Sequence, residues 1–76
     1  MSTGYSLKIM QKNNEADADI LGVRLGRVCI SQDVPAKIVA IRLGVSKQTI
    51  YNWFVGSRKP HSRYRWMMEA LIAELG

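Results

Sequence analysis

The sequence predicts an all-α domain: a compact set of four to five short helices, preceded by a short N-terminal arm. Three observations predict it. At 76 residues and 47% apolar content, the chain suffices for one small core and is too apolar for disorder. From about residue 16 onward its apolar residues recur three and four apart, the period of a buried helix face. Residues 34–60, VPAKIVAIRLGVSKQTIYNWFVGSRKP, carry start and stop signals for two helices joined by a tight turn.

Residues 1–15, MSTGYSLKIMQKNNE, open with small and polar side chains. Alternation over Tyr5–Ile9 breaks at Met10, so a short strand and a flexible tail both fit; the composition favours the tail. The chain therefore divides into an arm, 1–15, and a folded domain, 16–76. Leu7, Ile9 and Met10 would let the arm cover an apolar patch on this or a neighbouring subunit.

Residues 16–31, ADADILGVRLGRVCIS, read as the first helix, with Asp17 and Asp19 suited to its positive N-terminus. Leu21, Leu25, Val28 and Cys29 form its buried stripe. Gly22 and Gly26 each cost about 1 kcal/mol of helix propensity relative to alanine. They read as close-packing positions against another helix, the alternative being a break. Cys29 is the only cysteine, which rules out an internal disulfide. Its apolar setting makes it a buried small hydrophobe, with a reactive thiol or an intermolecular disulfide as the sharper alternative.

Val34–Pro35 opens the next helix, where proline is tolerated in a first turn. Ala36, Val39, Ala40 and Leu43 share its buried face, while Ile38 and Ile41 fall outside it beside Lys37 and Arg42. Two exposed isoleucines invite a cover from the N-terminal segment or a second protein. Gly44 stops the helix, Ser46 N-caps a second one over 47–55, and Gly56 stops that. At 100° per residue, Ile50, Trp53 and Phe54 point inward; Lys47, Gln48, Tyr51 and Asn52 point outward with Val55, and Thr49 sits at the edge. Ser57 to Pro60 leave as an exposed loop. Residues 62–75, SRYRWMMEALIAEL, read as the last helix with Ser62 as N-cap. Tyr64, Met67, Met68, Leu71 and Leu75 can close the core. Trp66, Ala70 and Ala73 exceed what one core needs, which favours a dimer interface over a poorly shielded monomer surface.

Eleven Lys and Arg against six Asp and Glu give a net charge of +5. No acid stands between Asp33 and Glu69, while Lys37, Arg42, Lys47, Arg58, Lys59, Arg63 and Arg65 all do. A basic centre that coincides with the paired helices is the footprint of a polyanion binder. The outward face of the second helix carries a cation, two side-chain amides and a phenol. Amides and cations pair bidentately with adenine and guanine edges in the major groove. Against this, catalytic chemistry is thinly represented. The single histidine, His61, lies in a basic loop, no Cys/His cluster has metal-ligand spacing, and no glycine-rich phosphate loop is present. No metal, cofactor or small-molecule ligand is expected. No apolar run is long enough to span a bilayer and no signal-peptide pattern is seen, so the expected location is the cytoplasm of a bacterium or phage-infected host.

Residues 34–60 resemble the helix-turn-helix of the lambda-repressor-like (Cro/CI, XRE-type) DNA-binding family. The match is A-x-x-L-G-V-S-x-x-T-I-x-x-W-x-x-G-x-R-x-P, here Ala40, Leu43-Gly44-Val45-Ser46, Thr49-Ile50, Trp53, Gly56, Arg58 and Pro60. It covers about a third of the chain closely, and flanking helices extend it loosely from about residue 17 to the end. Two positions depart. Pro35 and Ala36 stand where the family has a polar cap and a glutamine. Phe54 stands where it often has a glutamate paired with an arginine of the preceding helix, a partner position that falls near Cys29. An apolar pair there avoids the desolvation cost of a buried ion pair.

The resemblance implies a lambda-repressor-like fold and a sequence-specific regulator of transcription on double-stranded DNA, a repressor of prokaryotic or phage type. Base contacts fall to Lys47, Gln48, Thr49, Tyr51 and Asn52. Phosphate contacts fall to Arg42, Ser46, Arg58, Lys59, His61 and Arg63. Apart from the resemblance, which starts at about residue 17, Lys8 and Lys12 would let an N-terminal arm reach DNA. Pairing through Trp66, Ala70 and Ala73 would give a homodimer on two half-sites about one DNA turn apart. The alternative is a protein-interaction module on the same scaffold, binding a polymerase subunit, a toxin or a host regulator. The apolar surplus on the last helix and at Ile38 and Ile41 supports that second reading.

Overall fold

In a computed structural model, which describes residues 5–76, the described residues form five α-helices and no strand. They are α1 (Leu7–Glu15), α2 (Leu21–Ser31), α3 (Ala36–Leu43), α4 (Lys47–Phe54) and α5 (Arg65–Leu75), with a single 3-10 turn over Ser62–Tyr64 ahead of α5. None is long and apolar enough to cross a membrane. The all-helical fold is the one the apolar periodicity predicts.

Helix α2 is the hub, packing against α1, α4 and α5, while α3 packs on α4. The core is made by Leu25 and Cys29 of α2, Val39, Ala40 and Leu43 of α3, Ile50, Trp53 and Phe54 of α4, and Met68 and Leu71 of α5. Every residue of the expected α3 stripe is buried. Phe54 and Cys29 are both fully buried in this core. Burial pushes the Cys29 thiol up to about 11, so it is a desolvated, inert group.

The two α2 glycines are close-packing positions. A Cβ on Gly26 would lie 2.7 Å from Asn13 Nδ2 and 2.8 Å from Phe54 Cγ, and one on Gly22 would lie 2.9 Å from the Trp53 carbonyl oxygen. Only a bare backbone lets α4 approach α2 this closely.

Three helices end alike. After α3, Gly44 at φ 72° lets its own N–H reach the Ile41 carbonyl and the Val45 N–H the Ala40 carbonyl. After α4, the Gly56 and Ser57 N–H groups bond the Trp53 and Asn52 carbonyls. After α2 the left-handed position is Asp33, at φ 57°, with the Val34 N–H on the Cys29 carbonyl at 2.8 Å. These crossed bonds satisfy carbonyls that a helix end leaves unpaired.

The largest difference from expectation is at the N-terminus. Residues 1–4 of the expected arm lie outside the described residues, but 7–15 form α1 rather than a flexible tail. Ser6 caps it, its hydroxyl accepting from the Ile9 N–H at 3.2 Å. At nine residues such a helix is marginal in isolation, so its tertiary anchors decide. Asn13, buried in α1, donates through Nδ2 to the carbonyls of Val23 (3.1 Å) and Phe54 (2.6 Å). Arg27 of α2 donates to the Asn14 (3.0 Å) and Ala16 (3.1 Å) carbonyls, a cation on the negative end of α1. Tyr5 is buried, its hydroxyl donates to the Val34 carbonyl, and its ring lies 6.1 Å from that of Phe54. Burial, with Cys29, Tyr51 and Asp33 nearby, pushes the Tyr5 phenol above its ordinary range.

Smaller corrections follow from the turns. The first helix of the expected domain begins at Leu21, not near residue 16, because Asp17 Oδ1 accepts the Asp19 N–H at 2.9 Å and turns the chain. Pro35 is the N-cap of α3 and lies one residue outside it. Ser62 does not cap the last helix. His61 Nδ1 accepts the Arg63 N–H at 3.1 Å and caps the 3-10 turn, and α5 starts at Arg65.

Candidate nucleic-acid interface

The sequence of α3 and α4 leads directly to the geometry of the exposed face. Gly44 closes α3 without a side chain to clash, and Ser46 restarts the chain as α4. The Ser46 hydroxyl accepts the Thr49 N–H at 3.1 Å and lies 2.9 Å from Thr49 Oγ1. That fixes the first turn of α4. Ile50, Trp53 and Phe54 then pin its inner side, which leaves Lys47 and Gln48 exposed and Thr49, Tyr51 and Asn52 half-buried.

Gln48 and Asn52, one turn apart, are joined by Gln48 Nε2 donating to Asn52 Oδ1 at 3.2 Å. The bond leaves Gln48 Oε1 as an acceptor and Asn52 Nδ2 as a donor on neighbouring side chains. Such a pair matches the donor–acceptor edge of adenine in the major groove. Lys47 supplies a cation beside it, as guanine requires.

Tyr51 differs from the expected outward position. Its ring meets the Tyr5 ring edge-on at 6.3 Å, and it is half-buried where α1 lies alongside. The same neighbour explains the half-burial of Asn52 and Val55. Lys8, Ile9 and Lys12 of α1 line one groove with Gln48, Tyr51, Asn52, Val55 and Ser57.

The basic residues around α4 separate into groups. Arg58 and Lys59 are exposed in the loop after α4. That loop is tied down at its start, with the Ser57 N–H, Ser57 hydroxyl and Arg58 N–H all donating to the Asn52 carbonyl. His61 is exposed, and the bond accepted at Nδ1 leaves the proton of its neutral form on Nε2. Arg63 is folded back on its neighbour, 5.0 Å over the Tyr64 ring and donating to the Tyr64 hydroxyl at 3.0 Å. Arg42, another of the expected phosphate contacts, is engaged within the chain. Its guanidinium takes both carboxylate oxygens of Glu74, at 3.1 and 3.5 Å, and so bridges α3 to α5. Both partners are half-exposed, so the pair adds little stability.

Trp66, Ala70 and Ala73 are all exposed on α5 at i, i+4 and i+7, hence on one face. Trp66 and Ile41 are each 69% exposed, and Ile38 is also exposed. Arg42, Leu43, Trp66, Met67, Ala70 and Leu71 line a shallow groove between α3 and α5. Among the described residues, no group of His, Cys, Asp or Glu is arranged to hold a metal.

What the sequence missed was Asn13, and with it the placement of Lys8 and Lys12. The side chain that α1 buries is polar, so no apolar stripe announces the helix. The available signal was Ser6 as an N-cap. No family model, curated protein or solved structure matches the chain.

Proposed function

We propose that this protein is a sequence-specific regulator of transcription that binds double-stranded DNA, with α4 in the major groove, as the resemblance to lambda-repressor-like domains implies. The observation that carries the proposal is the α3–turn–α4 unit. It presents Lys47 and the hydrogen-bonded Gln48–Asn52 pair on a helix start that is fixed by Ser46 and flanked by cations, with no acid from residue 34 to residue 68. Amides held in one geometry lose less freedom on meeting a base than mobile ones do. Arg58 and Lys59, on a loop tied to the end of α4, and the neighbouring His61 are the phosphate-holding groups that set register. Repression follows by occlusion of a promoter, with no covalent step.

The test is selection from a randomised duplex pool, followed by anisotropy titration at several salt concentrations. A recovered motif bound in a salt-sensitive way supports the reading; weak, sequence-blind binding refutes it. Gln48→Ala should cost roughly 1–3 kcal/mol at one base pair and relax preference there. Equal loss on every sequence would remove Gln48 from the base-reading set.

A second reading rests on a different observation, the exposed Trp66 and Ile41 beside the α3–α5 groove. A second copy of the chain on that face gives the homodimer, and a polymerase subunit, toxin or host regulator gives an interaction module. Sedimentation of the wild type and of Trp66→Ser separates them. A concentration-dependent dimer that the variant loses favours self-association.

A further inference from the structure

We propose that α1 is a second DNA-contacting element, in which Lys8 and Lys12 hold the sugar-phosphate strand that borders the groove read by α4. The inference rests on the DNA-binding reading of α4 and extends it to a helix that the resemblance, which begins at about residue 17, assigns nothing.

Three observations converge. The first is position: Lys8 and Lys12 line the same groove as Gln48, Asn52 and Ser57, so they stand at the rim of the reading face. Being four residues apart, they share one side of α1 and are separated by about 6 Å along its axis. The second is charge. Among the described residues, the only charged side chains lining this groove are these two lysines. Both are exposed, and neither salt bridge among the described residues involves them. The one acid of α1, Glu15, accepts from Gln11 at 3.4 Å and does not line the groove. Two exposed cations that form no salt bridge among the described residues, on a groove that no acid lines, are set for an anionic partner, and a linear one matches a row of two.

The third is rigidity. A lysine on a loose tail pays conformational entropy for each contact. Here Asn13 ties α1 to the last carbonyl of α4 at 2.6 Å, and Tyr5 fixes the chain ahead of it against Val34 and Tyr51. The ammonium groups are therefore carried on a helix whose placement relative to α4 is set before DNA arrives. Phosphate contacts from such an element fix register without reading sequence.

The experiment compares the full chain with Lys8→Gln/Lys12→Gln on the selected duplex and on an unrelated one. Both sites are exposed, and circular dichroism checks that the variant folds as the wild type does. The proposal expects the slope of log K against log salt to become shallower by about 1.8, two phosphates at about 0.9 each, on both duplexes with base preference unchanged. Ethylation interference should show two phosphates, outside the base pairs read by α4, whose effect disappears in the variant. An unchanged slope, or an unchanged interference pattern, overturns the role of α1 while leaving that of α4 intact. A wild-type chain that binds neither duplex overturns both.

Discussion

Replacing Asn13 by Asp changes one amide nitrogen to oxygen and almost nothing in volume. Asn13 Nδ2 donates to the carbonyls of Val23 and Phe54, and the residue is 3% exposed. Aspartate has no donor at that position when ionised, so three oxygens would face one another in a site closed to water. The two lost bonds are worth about 1 kcal/mol each, and carbonyls left unsatisfied beside a charge add about 1–3 kcal/mol. The expected loss is about 3–5 kcal/mol at neutral pH, against a total on the order of 4–11 kcal/mol for a chain of this length. The sign of the pH dependence is fixed by the same geometry. Burial raises the native pKa of the new carboxyl above its unfolded value of about 3.9, so the native state binds more protons between the two values. Stability of Asn13→Asp then falls as pH rises through that window and is partly regained on acidification. Asn13→Ala loses the same bonds with no such trend. Urea denaturation at pH 7 and pH 4.5, read as differences from wild type, makes the comparison. A deficit under 1 kcal/mol, or one identical for Asp and Ala at both pH values, would refute the buried-donor account.

The same junction predicts the outcome at Gly26. Gly26→Ala gains about 1 kcal/mol of helix propensity but forces a methyl into Asn13 and Phe54, and overpacking of about 1–3 kcal/mol should win. A raised urea midpoint would show that α1 and α4 give way. Alkaline pH acts first through Cys29, with the raised Tyr5 phenol adding to the effect at higher pH. The Cys29 thiol is raised from the ordinary value of 9.0 to about 11, so the native state keeps its proton longer and stability falls as pH rises through that interval. Cys29→Ser or Cys29→Ala should flatten this part of the profile, and an unaltered profile would assign it to other groups. Lys59→Ala should weaken binding to all duplexes alike and make the salt slope shallower by about 1. A base-specific loss would place Lys59 among the reading residues instead.

The parts of the fold legible in the sequence were those where apolar spacing and backbone punctuation agreed. Ala36, Val39, Ala40 and Leu43 repeat at helical intervals and end at a glycine, and all four are buried as that pattern requires. Gly22 and Gly26 were legible as close contacts because a helix carries such residues only where something lies against it. Helix α1 was not legible, since its one buried side chain is an asparagine and hydrophobic periodicity is silent about polar anchors. Val23 was missed as well: it is fully buried, yet it falls outside the expected α2 stripe of Leu21, Leu25, Val28 and Cys29. Within the candidate site, Lys47 and Gln48 followed from helical angle alone. The half-burial of Tyr51 and the engagement of Arg42 by Glu74 depend on contacts between residues 46 and 32 positions apart, which no local pattern encodes.

The hydrogen bonds at the helix ends also bear on cooperativity. Arg27 of α2 holds the end of α1, and Asn13 of α1 holds the end of α4. None of these ends can fray without releasing the next, so α1 should not open as an independent unit. Its amide protons should exchange at rates close to those of α4, and a protease cutting between α1 and α2 should cost α4 its own protection. A segment that composition marks as an appendage is thus expected to come apart with the domain and not before it.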